Sequence, residues 1–290
     1  MEDEDYQKRP TRIFRYFPPE ASDIFSARKL WFSAAKDFND IFEVVPRYDS
    51  LISDQIKEAL KKQFAFLPPE VLADWQSYKK HMQIYTSQIY SETLETIPQG
   101  FQDKFSEHFG IICLSETLDS LSMWGHYAKS HQGFVVEFDP RHSLFASKEL
   151  GKVLYSNERP EAEASQGLNS WRIILTKSPA WDYECEYRLV KPLKGLKRAT
   201  RRNGDGTEKP YIDLPCDAVR SVYFGCRIHQ KARDEILNDL KVDNWKHVLK
   251  FIMRRHDIKY EIQPLPFEKL RNAPADARKD FDELWQAIGL

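Results

Sequence analysis

Residues 111–139 read IICLSETLDSLSMWGHYAKSHQGFVVEFD, and the reading of this stretch decides the fold class. Ile111 to Leu114 is an apolar run, Ser120 stands where a helix N-cap belongs, and Phe134 to Phe138 is rich in β-branched and aromatic residues. The predicted order is strand, turn, helix, strand. The helix is expected to run to about Ser130, with Gly133 as the left-handed residue that ends it. Helical spacing puts Trp124, Tyr127 and His131 on one stripe. A plain amphipathic helix carries Leu or Ile there. Three rings with polar tips suit either a core helix whose polar atoms find partners inside or the wall of a ligand cleft.

Outward from this stretch, the N-terminal ten residues are charged and expected to be disordered. IFRYF at 13–17 is strand-like, with Ile13, Arg15 and Phe17 on one face and Phe14 and Tyr16 on the other. The short strand Leu30-Trp31-Phe32-Ser33 precedes a turn, KDFNDIFE, in which Phe38 and Asn39 offer a ring and an amide. That turn folds on its own Asx hydrogen bonds or presents those groups to a ligand. Residues 50–107 show helical apolar spacing (51, 52, 56, 60 and 64) and no alternating run, which predicts a helical insertion in a sheet. Residues 11–265 are read as one domain. A C-terminal helix within 266–290 has Phe281, Leu284, Trp285 and Ile288 on its docking stripe.

From Glu184 to Val190 the pattern alternates again. Cys185, Tyr187 and Leu189 point one way; Glu184, Glu186 and Arg188 point the other. Three charges on one face call for solvent, as on an edge strand, or for a cleft. The run KPLKGLKRATRRNGDG that follows is a hairpin tip with Lys194, Lys197, Arg198, Arg201 and Arg202. It is either solvated or the part of the chain suited to phosphates. Asn244 to about Arg255 reads as a helix. Strands and helices mix without regular βαβ alternation, so the expected class is α+β, a mixed central sheet with flanking helices.

The 290 residues are 41% hydrophobic, 13% aromatic and 30% charged, with a net charge of -1. Such a chain has ample core and no global attraction to nucleic acid or membrane. No apolar run reaches membrane-spanning length and no secretory leader is recognisable, so a cytoplasmic location is expected. The four cysteines are far apart and form no CxxC pair. GxGxxG, P-loop and GxSxG motifs are absent, and His126 and His131 lie five apart, off the spacing of helical zinc ligands. No metal is expected.

In order, IFRYF (13–17), LWFSAAKDFNDIFE (30–43), CLSE (113–116), SMWGHYAKSHQGFVVEFD (122–139), VLY (153–155), LTKSPAWDYECEYRLV (175–190) and VRSVYFG (219–225) resemble a bacterial family known as domain of unknown function 2971. One departure is Ile41, where that family commonly has Pro. A looser similarity is to the NAD-using ADP-ribosyltransferases, with a basic and aromatic first strand and a Glu on a late strand. That resemblance implies NAD as substrate and Glu186 as the catalytic carboxylate, with Glu184 its rival. It implies Arg15 or Tyr16 as the group holding NAD, and Phe38, Trp124 or Tyr127 as the ring stacked on nicotinamide. Ser33, Asn39, His131 and Arg188 complete the cofactor-binding set. Lys197, Arg198, Arg201 and Arg202 are the candidate contacts to a nucleic-acid acceptor, the other acceptor class being protein. A toxin or phage-defence effector, with an antitoxin or defence partner, is the implied setting. The readings from other classes are a non-catalytic nucleotide or nucleic-acid sensor and a nucleotide hydrolase.

Overall fold

A computed structural model describes residues 8–47, 74, 100–161, 171–201 and 206–271. The expected helical insertion at 50–107 therefore lies outside the described residues, apart from Asp74 and the helical residues 100–108. The docking stripe expected of a C-terminal helix, residues 281–288, and residues 1–7 of the N-terminal segment also lie outside them. In chain order the strands are β1 (Ile13–Phe17), β2 (Lys29–Trp31), β3 (Phe109–Ser115), β4 (Phe134–Phe138), β5 (Leu150–Lys152), β6 (Leu154–Tyr155) and β7 (Thr176–Lys177). They continue with β8 (Glu186–Pro192), β9 (Lys197–Thr200), β10 (Glu208–Asp213), β11 (Val219–Phe224), β12 (Leu249–Arg255) and β13 (Ile262–Pro266).

Among the described residues the central sheet has the order β13-β12-β11-β4-β1-β3-β8-β5, antiparallel throughout except for the parallel pair β11 and β12. The fold is α+β: a mixed central sheet with flanking helices. Alternation in β1 sends Ile13 and Phe17 to one face. There they pack with Phe25 of the helix Ile24–Ala27, Ile236 of the helix Gln230–Asp239, and Trp245. Phe14 and Tyr16 take the other face, beside Met123 and Trp124 of the helix Leu121–His126. Two smaller sheets, β2-β10-β9 and the parallel pair β6-β7, lie outside the central one.

Three expectations are corrected. The helix after Ser120, whose Oγ accepts from Met123 N at 3.3 Å, ends at His126 rather than Ser130. The left-handed residues are Lys129, Ser130 and His131, and not Gly133, so His131 leaves the helical stripe of Trp124. Asn244–Arg255, expected as a helix, is a 3-10 turn and then β12, because parallel pairing with β11 overrides its weak helical propensity. Of the two readings left open for the charged face of β8, the edge strand is excluded: β8 is paired with β3 over seven positions and with β5 on its other side.

Gly133 is required by close approach rather than by its dihedrals. A Cβ there would sit 2.0 Å from Phe17 O, and one at Gly225 would sit 2.1 Å from His131 O. The two glycines let the end of β1, the turn after the helix and the end of β11 meet, with Gly225 N donating to Gly133 O at 2.9 Å. Gly133→Ala is expected to cost at least about 1–3 kcal/mol, the usual cost of forcing atoms into a filled interior. Urea denaturation checks this; an unchanged midpoint would contradict the packing described.

Candidate functional site

β1 pairs with β4 over five positions but meets β3 at a single register position, Phe14↔Ser115. Beyond it the two strands part. On the β3 side Ser33 takes over the pairing, exchanging both backbone bonds with Ile111 (2.9 and 3.0 Å). A cavity of about 220 Å³ opens at this parting, walled by Phe14, Arg15 and Tyr16 from β1 and by Cys113, Leu114 and Ser115 from β3. Ser33, Phe38, Asn39, Met123 and Tyr127 complete the wall, and Glu43, Lys177, Glu184 and Glu186 bring charge into it.

The local sequence explains how four of the charges converge. After β7, Pro179 opens a 3-10 turn to Glu184, capped by Ser178 Oγ accepting from Ala180 N at 3.3 Å. Cys185, at φ 44, then turns the chain sharply into β8. Glu184 thus ends a turn instead of standing in the strand, yet Lys177, Glu184, Glu186 and Arg188 still meet. Glu43 reaches the same place from a tight turn in which Asp40 Oδ1 accepts from Phe42 N at 2.9 Å and β-branched Val44 is held at φ 54. Buried Gln102 clamps that turn by donating to Glu43 O at 2.9 Å.

The five charges form one network. Arg188, wholly buried, donates Nε to Glu186 Oε1 at 2.9 Å and Nη2 to Glu186 Oε2 at 2.8 Å. Its Nη1 donates to Ile174 O and lies 2.6 Å from Glu43 Oε1, an ionic contact with poor hydrogen-bond alignment. Lys177 Nζ donates to Glu184 Oε2 at 2.6 Å and Glu186 Oε2 at 3.3 Å, with Glu43 Oε2 3.7 Å away. Glu184 Oε1 accepts from Tyr127 OH at 2.5 Å, and Asn39 Nδ2 reaches that hydroxyl at 3.5 Å.

These contacts give the carboxylates different acidities. Burial would raise the pKa of Glu186, but Arg188 and Lys177 outweigh it and hold it at about 2. Glu184 is pushed up by burial and by Glu186, against the pull of Lys177 and Tyr127. Glu43 is likewise raised, chiefly by burial. Burial opposes the Lys177 ammonium, but Glu186, Glu43 and Glu184 keep its pKa above the ordinary value. Glu43, Glu184 and Glu186 face Lys177 and Arg188, three carboxylates to two cations. Arg15 stands apart from this group. Its Nη2 donates to Trp31 O at 3.1 Å, its Nη1 is buried without a hydrogen-bond partner, and burial lowers its pKa to about 10. The cavity lining therefore carries both signs: the surplus carboxylate of the network and, outside that network, the Arg15 guanidinium.

Of the residues singled out in the sequence, Arg15, Tyr16, Ser33, Phe38, Asn39, Tyr127 and Glu186 line this cavity. Arg188 lies beneath it, holding Glu186. Trp124 is not in the lining; fully buried, it donates Nε1 to Leu118 O at 2.7 Å and meets Tyr16 edge-on at 5.5 Å. His131 stacks parallel to Trp124 with centroids 6.2 Å apart, away from the lining. Lys197, Arg198 and Arg201 belong to the β9–β10 hairpin, and Arg202 is outside the described residues. Lys177 was not legible in the sequence, since no motif marks a lysine whose partners are Glu184 and Glu186 on one side and the far-off Glu43 on the other. Among the described residues no group of His, Cys, Asp and Glu is arranged to hold a metal ion, and no helix is long and apolar enough to cross a membrane.

The fold and site define an α+β protein with a charged cavity in a parted sheet. A family model described as protein of unknown function (DUF2971) matches residues 123–189. The match takes in Tyr127, Lys177, Glu184, Glu186 and Arg188 and agrees with the family resemblance of the motifs. Comparison with curated proteins and with solved structures gives no match.

Proposed function

We propose that the protein is an ADP-ribosyltransferase-like enzyme that binds NAD in this cavity and breaks its nicotinamide–ribose bond, in a toxin or phage-defence role. The observation that carries the reading is the charge of the cavity lining, a surplus of carboxylate together with the Arg15 guanidinium. Oxidised NAD has a cationic ring at one end and a pyrophosphate in its middle. Surplus carboxylate suits the first, and the unpartnered Arg15 Nη1 suits the second. The volume of about 220 Å³ is below the roughly 300–1,000 Å³ of clefts that enclose whole ligands, so it suits the nicotinamide end of NAD with the adjoining phosphate, the adenosine staying outside.

In this reading Phe38 or Tyr127 faces the nicotinamide ring. Nicotinamide leaves with the bonding electron pair, and positive charge grows on the ribose carbon. Glu186, ionised across the neutral range, stabilises that charge as a carboxylate fixed in place before the reaction. The acceptor oxygen or nitrogen then bonds to that carbon, and its proton passes to Glu184, whose raised pKa fits it to take one. Nucleic acid is the acceptor class, on the strength of the basic β9–β10 hairpin.

One observation favours a binding role instead. Both oxygens of Glu186 are already engaged by Arg188 and Lys177, as they would be in a sensor that holds the ligand without cleaving it. Purified protein incubated with NAD, with and without DNA or RNA, separates the two. Release of free nicotinamide is expected. NAD bound but returned intact would favour the sensor.

A further inference from the structure

The sheet β2-β10-β9 presents a face with the composition of a stacking platform. Trp31 and Tyr211 are register partners across β2 and β10, with ring centroids 5.3 Å apart. Lys29 Nζ lies 5.7 Å from the Trp31 centroid and 4.9 Å from that of Tyr211, and the Arg201 guanidinium carbon lies 5.2 Å from Trp31. Lys197 stands opposite Tyr211 on β9, and Lys209 falls two residues before Tyr211, so alternation puts both on this face. Among the described residues four cations thus share it with one carboxylate, Asp213, which pairs with Lys197 at 2.5 Å. On a chain of net charge -1 this is a concentrated basic surface. Arg198 lies opposite Pro210 and takes the other face, where its Nη2 donates to Glu208 O at 3.2 Å.

We infer that this face binds single-stranded nucleic acid, with bases on Trp31 and Tyr211 and phosphates on Lys29, Lys209 and Arg201. Rings on a sheet with cations beside them accept any unpaired base, because every base has a π-face, while the cations follow the backbone. A duplex hides its base faces and is bound less well. The Lys29 ammonium and the Arg201 guanidinium already lie over the two rings. A base displaces them, and they then turn to the phosphates on either side. Two residues beyond Trp31 the same segment reaches Ser33 in the cavity wall, and Trp31 O is held by Arg15. A strand docked on the platform would therefore lie beside the cavity as the acceptor. That last step rests on the NAD reading; the docking itself does not.

The test is fluorescence anisotropy with a labelled single-stranded oligothymidine or oligouridine and a mixed-sequence duplex of equal length, across a potassium chloride series. Single strands are expected to bind at least about tenfold tighter than duplex. Tyr211→Ala should weaken single-strand binding by about tenfold, while Tyr211→Phe, which keeps the ring, should not. Lys29→Ala and Lys209→Ala should each lower the log–log salt slope by about 0.7. Arg198→Ala, on the other face, should change it least. No binding to single strands at low salt would overturn the inference, as would equal binding of duplex, retention of affinity in Tyr211→Ala, or an Arg198→Ala loss as large as those of Lys29 and Lys209. NAD plays no part in this assay, so failure here and failure of NAD cleavage are separate results.

Discussion

Replacing Arg188 with Met is expected to destabilise the fold by roughly 3–5 kcal/mol, a large share of the total stability of an ordinary domain. Met fills much of the same volume, so the effect is one of charge rather than of a cavity. Arg188 is 0% exposed and is the bidentate partner of Glu186 and the nearest cation to Glu43. Without it, Lys177 alone would face three buried carboxylates. Glu186, held at about 2 largely by Arg188, would lose most of what keeps it ionised in the interior. The second site of a double-mutant cycle makes the argument specific. In the Arg188→Met background, Glu43→Gln should restore part of the loss, because it removes one of the orphaned charges. Urea denaturation of the single and double variants measures both effects. A loss below about 1 kcal/mol for Arg188→Met would mean that the network is not what holds β8 to the turn at Glu43.

The second large effect is catalytic. Glu186→Gln is expected to lower NAD cleavage by about a hundredfold or more, the usual cost of removing one prearranged group that meets transition-state charge. The change is isosteric, but Glu186 is 3% exposed and ion-paired, so some stability will be lost with it. Glu184→Gln should behave differently. It removes a carboxylate whose ionisation burial and Glu186 already oppose, so stability at neutral pH should hold or rise. Its effect should fall on the pH profile. With its pKa raised, Glu184 gains its proton as pH falls through a value above the ordinary carboxylate range. The wild-type rate should drop there, and that limb should be missing in Glu184→Gln. Glu186, at about 2, titrates too low to produce it. Rate and unfolding midpoint are therefore measured together on both variants. If Glu186→Gln retains wild-type turnover, the charge-stabilising role passes to Glu184.

The parts of this site carried by local pattern were legible in the chain. Alternation in IFRYF and in EYRLV put Phe14 with Tyr16 and Glu186 with Arg188 on shared faces, and both segments are strands. The ring and amide of the turn at Phe38 and Asn39 were visible for the same reason. What was not legible depends on contacts distant in sequence. Lys177 is tied to Glu43, 134 residues earlier, as well as to the nearby Glu184 and Glu186. The three positive φ values at 129–131 end the helix early, because the chain must turn back to let Gly133 pass Phe17 O. The alternation through Glu184 stops at Cys185, whose left-handed backbone no pattern of polarity announces. β12 has too few β-branched residues to be read as a strand, and its partner β11 decides the matter.

Charge selectivity tests the central claim most directly. A carbocyclic NAD, in which carbon replaces the ribose ring oxygen, binds without being cleaved and can be titrated in its oxidised and reduced forms. The two differ by one positive charge on the nicotinamide ring. If that ring sits against the surplus carboxylate of Glu43, Glu184 and Glu186, the oxidised form should bind about tenfold tighter or more, since one unit charge at about 4 Å is worth up to about 4 kcal/mol at an effective dielectric constant near 20. The preference should shrink in Glu184→Gln, where carboxylates and cations are equal in number. Equal affinity for the two forms, or no binding of either, would contradict the account.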